Sequence, residues 1–389
     1  MQSWLLHTSK MNRRVVLVYI TALIVGFSYG MHNPIVPVFS KEVVGASYFD
    51  LGIIGFSNYV PYMFIPLFVG LLLDRFNNGI LLSLGLALDA ASVYLLSIAN
   101  SVPEVIIFRT LTGVAHSFFW PPCESIISQA SSPETRVKSI SRFMAFFVIG
   151  LMMGPLVGSF LLQNLDVTYR VLFQFAAFAL ATSIISALLL TKNGKTNQHT
   201  KFSISSSKQI MKFPVVMIIL LFCSAAFGIF LTILPAYMSD KSISESNIEL
   251  LFFIFGISRL VSLLPSDFLM KKFLPSLISV ILSIAVGMLV VFYSHSITEF
   301  VIAVLILGFG FSVYFPLTFE IIMRRTRKED VGGLIGAYEA TFGIGWAAGP
   351  LIAGIMANSI GTSTPYLLLF IMGLAVAAIS VSKKKTITI

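Results

Sequence analysis

The chain has 389 residues, of which 57% are hydrophobic and 11% charged, with a formal net charge of +9; its mean hydropathy is +0.91. That balance excludes a water-soluble globular domain. It also makes nucleic-acid binding the poorer reading of the positive charge, which falls in the short polar segments between long apolar runs.

Apolar runs of about 20 residues recur along the chain, each long enough as a helix to cross a hydrocarbon layer roughly 30 Å thick. The expected spans are 15–38, 50–73, 79–99, 104–128, 140–162, 168–190, 214–238, 248–269, 275–294, 299–323, 332–357 and 364–382. The runs are continuous and lack the alternation of barrel strands, so the fold class is all-α integral membrane with twelve transmembrane helices.

The first span is too long for a signal-peptide core and lacks a small-x-small cleavage site, so it is expected to be retained, with Met11 a possible natural start. Tyr29, His32 and Asn33 precede Pro34 and Pro37, which places polar groups at a broken helix end. In the second span Asn58 and Tyr59 offer hydrogen bonds to a solute, with Pro61 and Pro66 bending the helix. Asp89, in the middle of the third span, must turn inward, either as a structural partner or as a proton relay.

The fourth span carries Arg109, Gly113, His116, Trp120 and Glu124 at separations of 4, 3, 4 and 4 positions. At about 100° per residue these form one stripe. Ionisable groups at membrane depth cost several kcal/mol unless they pair or face water, so the stripe should line a cavity or the bundle interior. Arg109 is either a clasp on a neighbouring acceptor or a substrate contact, and His116 either packs as a neutral ring or senses protons. Trp120 is either core or a stacking surface; Glu124 is either a loop anchor or a proton-coupling residue.

Residues 191–213 form the longest polar segment and divide the spans six and six, giving bundles at 1–190 and 214–389. In the second half, Arg259 is central in the eighth span and suits an anionic solute or an acidic partner. Tyr314 and Trp346 are candidate cavity residues. Glu320 stands i−4 from Arg324, as a structural pair or a proton group. Glu339, about two turns into the eleventh span, is the leading candidate for proton coupling because its repeat counterpart is Met144.

That counterpart is defined by an offset of 195 positions, which superimposes Glu299 on Glu104, Gly308 on Gly113, Pro316 on Pro121, Gly345 on Gly150, Gly349 on Gly154 and Pro350 on Pro155. Two parallel six-helix repeats joined by a linker are an architecture for alternating access to a central cavity. With the N-terminus in the cytoplasm, the basic groups at Lys10 to Arg14, Arg75, Arg136 to Arg142, the linker, Lys271, Lys272, Arg324 to Lys328 and Lys383 to Lys385 all fall on one side. This predicts cytoplasmic termini in a plasma-membrane protein.

The segment GLLLDRF, with Gly70, Asp74 and Arg75, resembles the loop signature after the second helix of the major facilitator superfamily, although Asn77, Asn78 and Gly79 replace its glycine and basic cluster. Arg109 and Gly113 resemble that family's Arg-x-x-x-Gly. Gly150, Gly154, Pro155 and Gly158 resemble its antiporter signature, with Ser159 in place of the last glycine. The resemblance covers essentially the whole chain and implies a twelve-helix secondary transporter. It tilts the direction toward proton-coupled efflux of amphipathic or drug-like molecules, with a proton symporter or facilitator for a small organic anion or other metabolite, or a lipid transporter, as the alternative.

In that fold Asp74, Gly70 and Arg75 would latch the cytoplasmic side, with Asp74 at the start of the eleventh helix. Small residues at i and i+4 also let helices approach closely, so Gly150, Gly154, Pro155, Gly158, Gly345, Gly349 and Pro350 are expected to pack and hinge at the interface between halves. The expected partners are a small-molecule substrate, protons and the lipid bilayer. A functional monomer is expected, with no nucleic acid, cofactor or metal. No phosphate-binding loop, metal-ligand spacing or nucleophile and base pair supports an enzyme or an ATP-driven pump. Cys123 and Cys223 are read as packing residues.

Overall fold

The computed structural model describes residues 12–73, 75–131, 133–191, 208–263, 265, 269, 272–324 and 331–387. Met11, Asp74, most of the linker and the basic run 325–328 lie outside the described residues.

Helices occupy every expected span. In the first half they are α1 (Arg13–His32), α2 (Ile35–Glu42), α3 (Tyr48–Leu73), α4 (Asn78–Ile98), α5 (Val102–Ser117), α6 (Trp120–Ala130), α7 (Pro133–Asn164) and α8 (Tyr169–Leu189). After a 3-10 turn at Lys208–Lys212 come α9 (Pro214–Thr232), α10 (Leu234–Asp240), α11 (Glu245–Leu263), α12 (Phe273–Tyr293), α13 (Ile297–Arg324), α14 (Val331–Ser359), α15 (Thr364–Ser382) and the short α16 (Lys384–Ile387). Among the described residues, nine stretches are both long and apolar enough to cross a membrane.

Three expected spans are each split into two helices, and proline explains all three. Pro121 and Pro122 cannot donate to the carbonyls of Ser117 and Phe118, so the fourth span ends α5 and restarts as α6. Pro34 parts α1 from α2, and Pro235 stands at the start of α10 just after the break from α9.

The packing partners repeat between halves. Helix α1 packs on α7 as α9 packs on α14; α3 on α5 as α11 on α13; and α4 on α8 as α12 on α15. The fourth span of each half even opens with the same cap. Glu104 accepts the backbone N–H groups of Asn100 (2.6 Å) and Ser101 (3.2 Å), and Glu299 those of His295 (2.6 Å) and Ser296 (2.9 Å).

The glycines explain how close the helices come. A Cβ at Gly150 would lie 2.1 Å from the Leu23 carbonyl oxygen, and one at Gly154 2.2 Å from that of Phe27, so α7 rests directly on the backbone of α1. Gly345 and Gly349 bring α14 against Leu221, Ser224 and Ala225 of α9 in the same way. Expected at the interface between halves, these four glycines instead pack within one half. The cross-half contacts belong to Gly158, which faces Glu249, and to Pro350, which packs against Gly52 and Gly55.

The seam between halves is formed by α3 against α14, by its counterpart α7 against α11, and by α2 against α10 and α11. The end of α8 and the 3-10 turn at Lys208–Lys212 lie at one face; α2 and α10 lie at the opposite face.

Candidate transport site

Two carboxylates meet at the seam. Glu124, on α6, and Glu339, on α14, belong to opposite halves, yet each is within electrostatic reach of the other and both act on Tyr62 of α3. Both side chains are also accessible to solvent. The helices that carry them both pack against α3.

Aromatic rings line the seam beside them. Tyr59 stacks on Trp346 across the halves, with centroids 4.8 Å apart, and Tyr62 lies 6.4 Å from the same indole. Phe227 and Phe342 flank Trp346 at 5.6 and 4.8 Å, and Tyr314 stacks on Phe342 at 6.2 Å. The Trp346 indole N–H is buried without a partner.

Arg259 lies over the rings of Phe227 and Phe255, 5.5 Å from each centroid. No acidic partner lies within ion-pair distance among the described residues. It is half-buried, and cation–π contact replaces the carboxylate that a buried guanidinium usually finds.

The first half holds a second polar cluster around Arg109, which is 3% exposed. Asn58 takes two of its neighbours in hand: its amide oxygen accepts from Arg109 Nη2 at 3.1 Å, while its nitrogen donates to the Arg109 carbonyl at 3.0 Å and the Thr112 hydroxyl at 2.8 Å. Arg109 Nε and Nη1 have no partner. Expected to bond a solute, Asn58 is 3% exposed and already occupied as a strut between α3 and α5.

Asp89 turns inward from α4 and is 2% exposed, within electrostatic reach of Arg109, with Oδ1 unpartnered. His32 is fully buried, its Nδ1 2.7 Å from the Ser28 carbonyl and its Nε2 unpartnered. Asn33 caps α1. His116 Nε2 accepts from the Trp120 indole at 2.9 Å, and its ring packs 4.6 Å from Tyr29 and 5.8 Å from Tyr62. Trp120 itself packs against Phe119, Phe143 and Phe147.

Other expected residues stand apart from this seam. Glu320 is half-buried near the linker end of α13, Gly70 lies in the last turn of α3, and Arg75 is exposed on the turn that follows. Asp74 lies outside the described residues, and with it the proposed latch.

At the face opposite the linker the halves are tied by a polar network absent from the sequence reading. Lys41 pairs with Asp240, which also accepts from the Tyr48 hydroxyl at 2.7 Å. Ser239 donates to Glu42, and the Tyr169 hydroxyl meets Glu42 at 2.6 Å and also Glu245. One turn below Glu245, Glu249 is 0% exposed and neither carboxylate oxygen has a partner. Both were missed because they fall at span ends, where acids read as ordinary interfacial residues.

Two repeated sets of apolar helices with aromatic rings and carboxylates along their seam are an arrangement for membrane transport rather than catalysis. The Major Facilitator Superfamily model matches residues 18–276 and 216–385, and the chain belongs to that family. It is 24% identical over 361 residues to the quinolone resistance protein NorA of Staphylococcus aureus, covering 89% of this chain and 90% of that protein. It is 28% identical over 219 residues to multidrug resistance protein 1 of Bacillus subtilis, 54% of each chain. Its fold is similar to that of the nucleoside transporter NupG, with a TM-score of 0.82 at 14% identity, covering 96% of this chain and 100% of that one. A bacterial homolog of the human lysosomal transporter Spinster gives 0.71 at 15% identity, covering 96% of each chain.

Proposed function

We propose that the protein is a twelve-span secondary transporter of the plasma membrane that works by alternating access and exports amphipathic, ring-bearing molecules in exchange for protons. The observation that carries this reading is that Glu124 and Glu339 come from opposite halves to within electrostatic reach of Tyr62, beside the rings of Tyr59, Tyr62 and Trp346. A carboxylate pair in a poorly hydrated recess can exchange a proton for a cationic solute, and aromatic faces bind the solute's apolar body. The full-length resemblance to NorA supports the efflux direction.

In this reading the linker face is cytoplasmic, in keeping with its basic residues. The bodies 1–190 and 214–389 rock about the α3–α14 and α7–α11 seams, with Gly158 and Pro350 as cross-half bearings. The network at Lys41, Glu42, Tyr48, Tyr169, Asp240 and Glu245 is then the closed external gate. Gly70, Asp74 and Arg75 form the corresponding latch on the cytoplasmic side, and Arg109 with Asp89 and His116 supports the wall of α5.

A second reading has its own observation. Arg259, held on two phenyl rings without an acidic partner within ion-pair distance, would draw an organic anion into the same recess as substrate of a symporter or facilitator. Purified protein in proteoliposomes decides between them. With lipophilic cations, sugars and organic anions offered in turn under an imposed pH gradient, efflux predicts proton movement that depends on a lipophilic cation. Anion movement without proton flux, unchanged in Glu339→Gln, overturns it in favour of the second reading.

A further inference from the structure

Glu249 is the most unusual residue of the seam. It projects from α11 of the second half against Gly158 of α7 in the first, where a Cβ would stand 2.9 Å from its Oε1. It is 0% exposed, and both of its oxygens lack a hydrogen-bond partner among the described residues. Glycine at 158 is what makes room for it; a larger side chain there would force the carboxyl aside.

The charged and titratable groups on the elements packed against α11 are engaged or distant. On α2, Lys41 and Glu42 belong to the gate network, as does Asp240 on α10. Tyr237 on α10 packs against Tyr366 and Phe300. On α13, Glu299 caps its own helix, Tyr314 stacks on Phe342, and Glu320 stands at the far end. On α7 the nearest basic residue along the helix is Arg142, sixteen positions from Gly158, about 24 Å. Among the described residues none of them is hydrogen-bonded or ion-paired to Glu249.

An ionised carboxylate without partner or water is several kcal/mol too costly for such a place. The same side chain as a neutral acid is tolerated, and it regains full hydration as soon as α7 and α11 part. The seam at Glu249 lies one helical turn below the gate, since Glu245 joins the network and Glu249 follows it at i+4.

We propose that Glu249 is a proton-binding site whose occupancy licenses closure of the gate formed by α2, α10 and the start of α11. In the closed arrangement the carboxyl carries a proton taken from hydronium on that side: one carboxyl O–H bond forms, one O–H bond of hydronium breaks, and water is left. Loss of the proton to the same water drives the seam apart. The inference rests on the alternating-access reading above.

The sign of the dependence is set by the carboxyl itself: acid at Glu249 strengthens closure. A single linked proton changes the ratio of closed to open forms by up to about tenfold per pH unit.

The test uses the full-length chain in lipid nanodiscs, with spin labels on cysteines placed at Val43 and Ser244, two exposed sites flanking the gate. Distances are read between pH 5 and 9 without substrate. In the otherwise unmodified chain the short, closed distance is expected to dominate in acid and give way to a longer one as pH rises. Glu249→Gln is expected to hold the short distance throughout, and Glu249→Asp to restore titration. If Glu249→Gln titrates with the same midpoint and amplitude as the parent, or if the parent opens in acid, the proposal is overturned. A parent whose distance never changes under any condition, substrate included, overturns alternating access together with it.

Discussion

Glu339 and Glu124 belong to opposite halves and both lie within electrostatic reach of Tyr62. Glu339→Gln is expected to reduce gradient-driven accumulation in proteoliposomes to near background while sparing substrate counterflow, which needs no net proton transfer. Loss of both activities would assign Glu339 to substrate binding instead. Asn58→Leu removes hydrogen bonds from Arg109 and Thr112 in a buried site and should cost about 1–3 kcal/mol, seen as a lower Tm in detergent. The stripe from Arg109 to Glu124 was expected from helical spacing, but the break after Ser117 divides it, with Arg109, Gly113 and His116 on α5 and Trp120 and Glu124 on α6. The double role of Asn58 was not, because it depends on which residue of α5 lies opposite, and nothing in the spacing of α3 encodes that. Glu249 was hidden for a related reason: in ESNIELLF it looks like the solvated start of a helix, and only the closure of α7 over it makes it buried.

At the scale of helices, the small residues decide which pairs approach backbone to backbone. Gly154→Val places a branched side chain where a bare Cβ already meets the Phe27 carbonyl oxygen at 2.2 Å. It should therefore destabilise the α1–α7 pair by about 1–3 kcal/mol. Gly158→Ala meets only the end of the Glu249 side chain and should cost less. The yield of monodisperse protein and its Tm rank the two, and the reverse order would mean that α7 leans on α11 more than on α1. The i, i+4 glycines announced close packing, but the sequence does not say which neighbour is approached. The breaks after α1 and α5 follow from Pro34, Pro121 and Pro122, which were visible; that they end one helix and begin another, instead of bending it, depends on the tertiary contacts that take up the freed carbonyls.

For the whole molecule, the repeat offset and the apolar spans carried the architecture, since membrane solvent forces each run into a helix. The polar network was invisible because its partners are far apart in the chain: Lys41 and Asp240 by 199 positions, Glu42 and Ser239 by 197, Tyr169 and Glu245 by 76. Each contact is weak where water can reach it, and an exposed ion pair contributes about 0–1 kcal/mol. Asp240→Asn is therefore expected to shift the closed-to-open ratio by no more than roughly fivefold, measured with the same label pair at Val43 and Ser244. A larger shift would mean that Asp240 organises the network and is more than one member of it.

The stack of Tyr59 on Trp346 joins the two halves at their seam, whereas Trp120 is wedged among Phe119, Phe143 and Phe147 within one half. The chain thus contains its own optical ruler. Each separation of the halves near Tyr59 changes the surroundings of one indole and leaves the other as an internal standard. With Trp4 and Trp120 both replaced by Phe, Trp346 alone would report the working cycle through ultraviolet fluorescence, in native lipid and without a label.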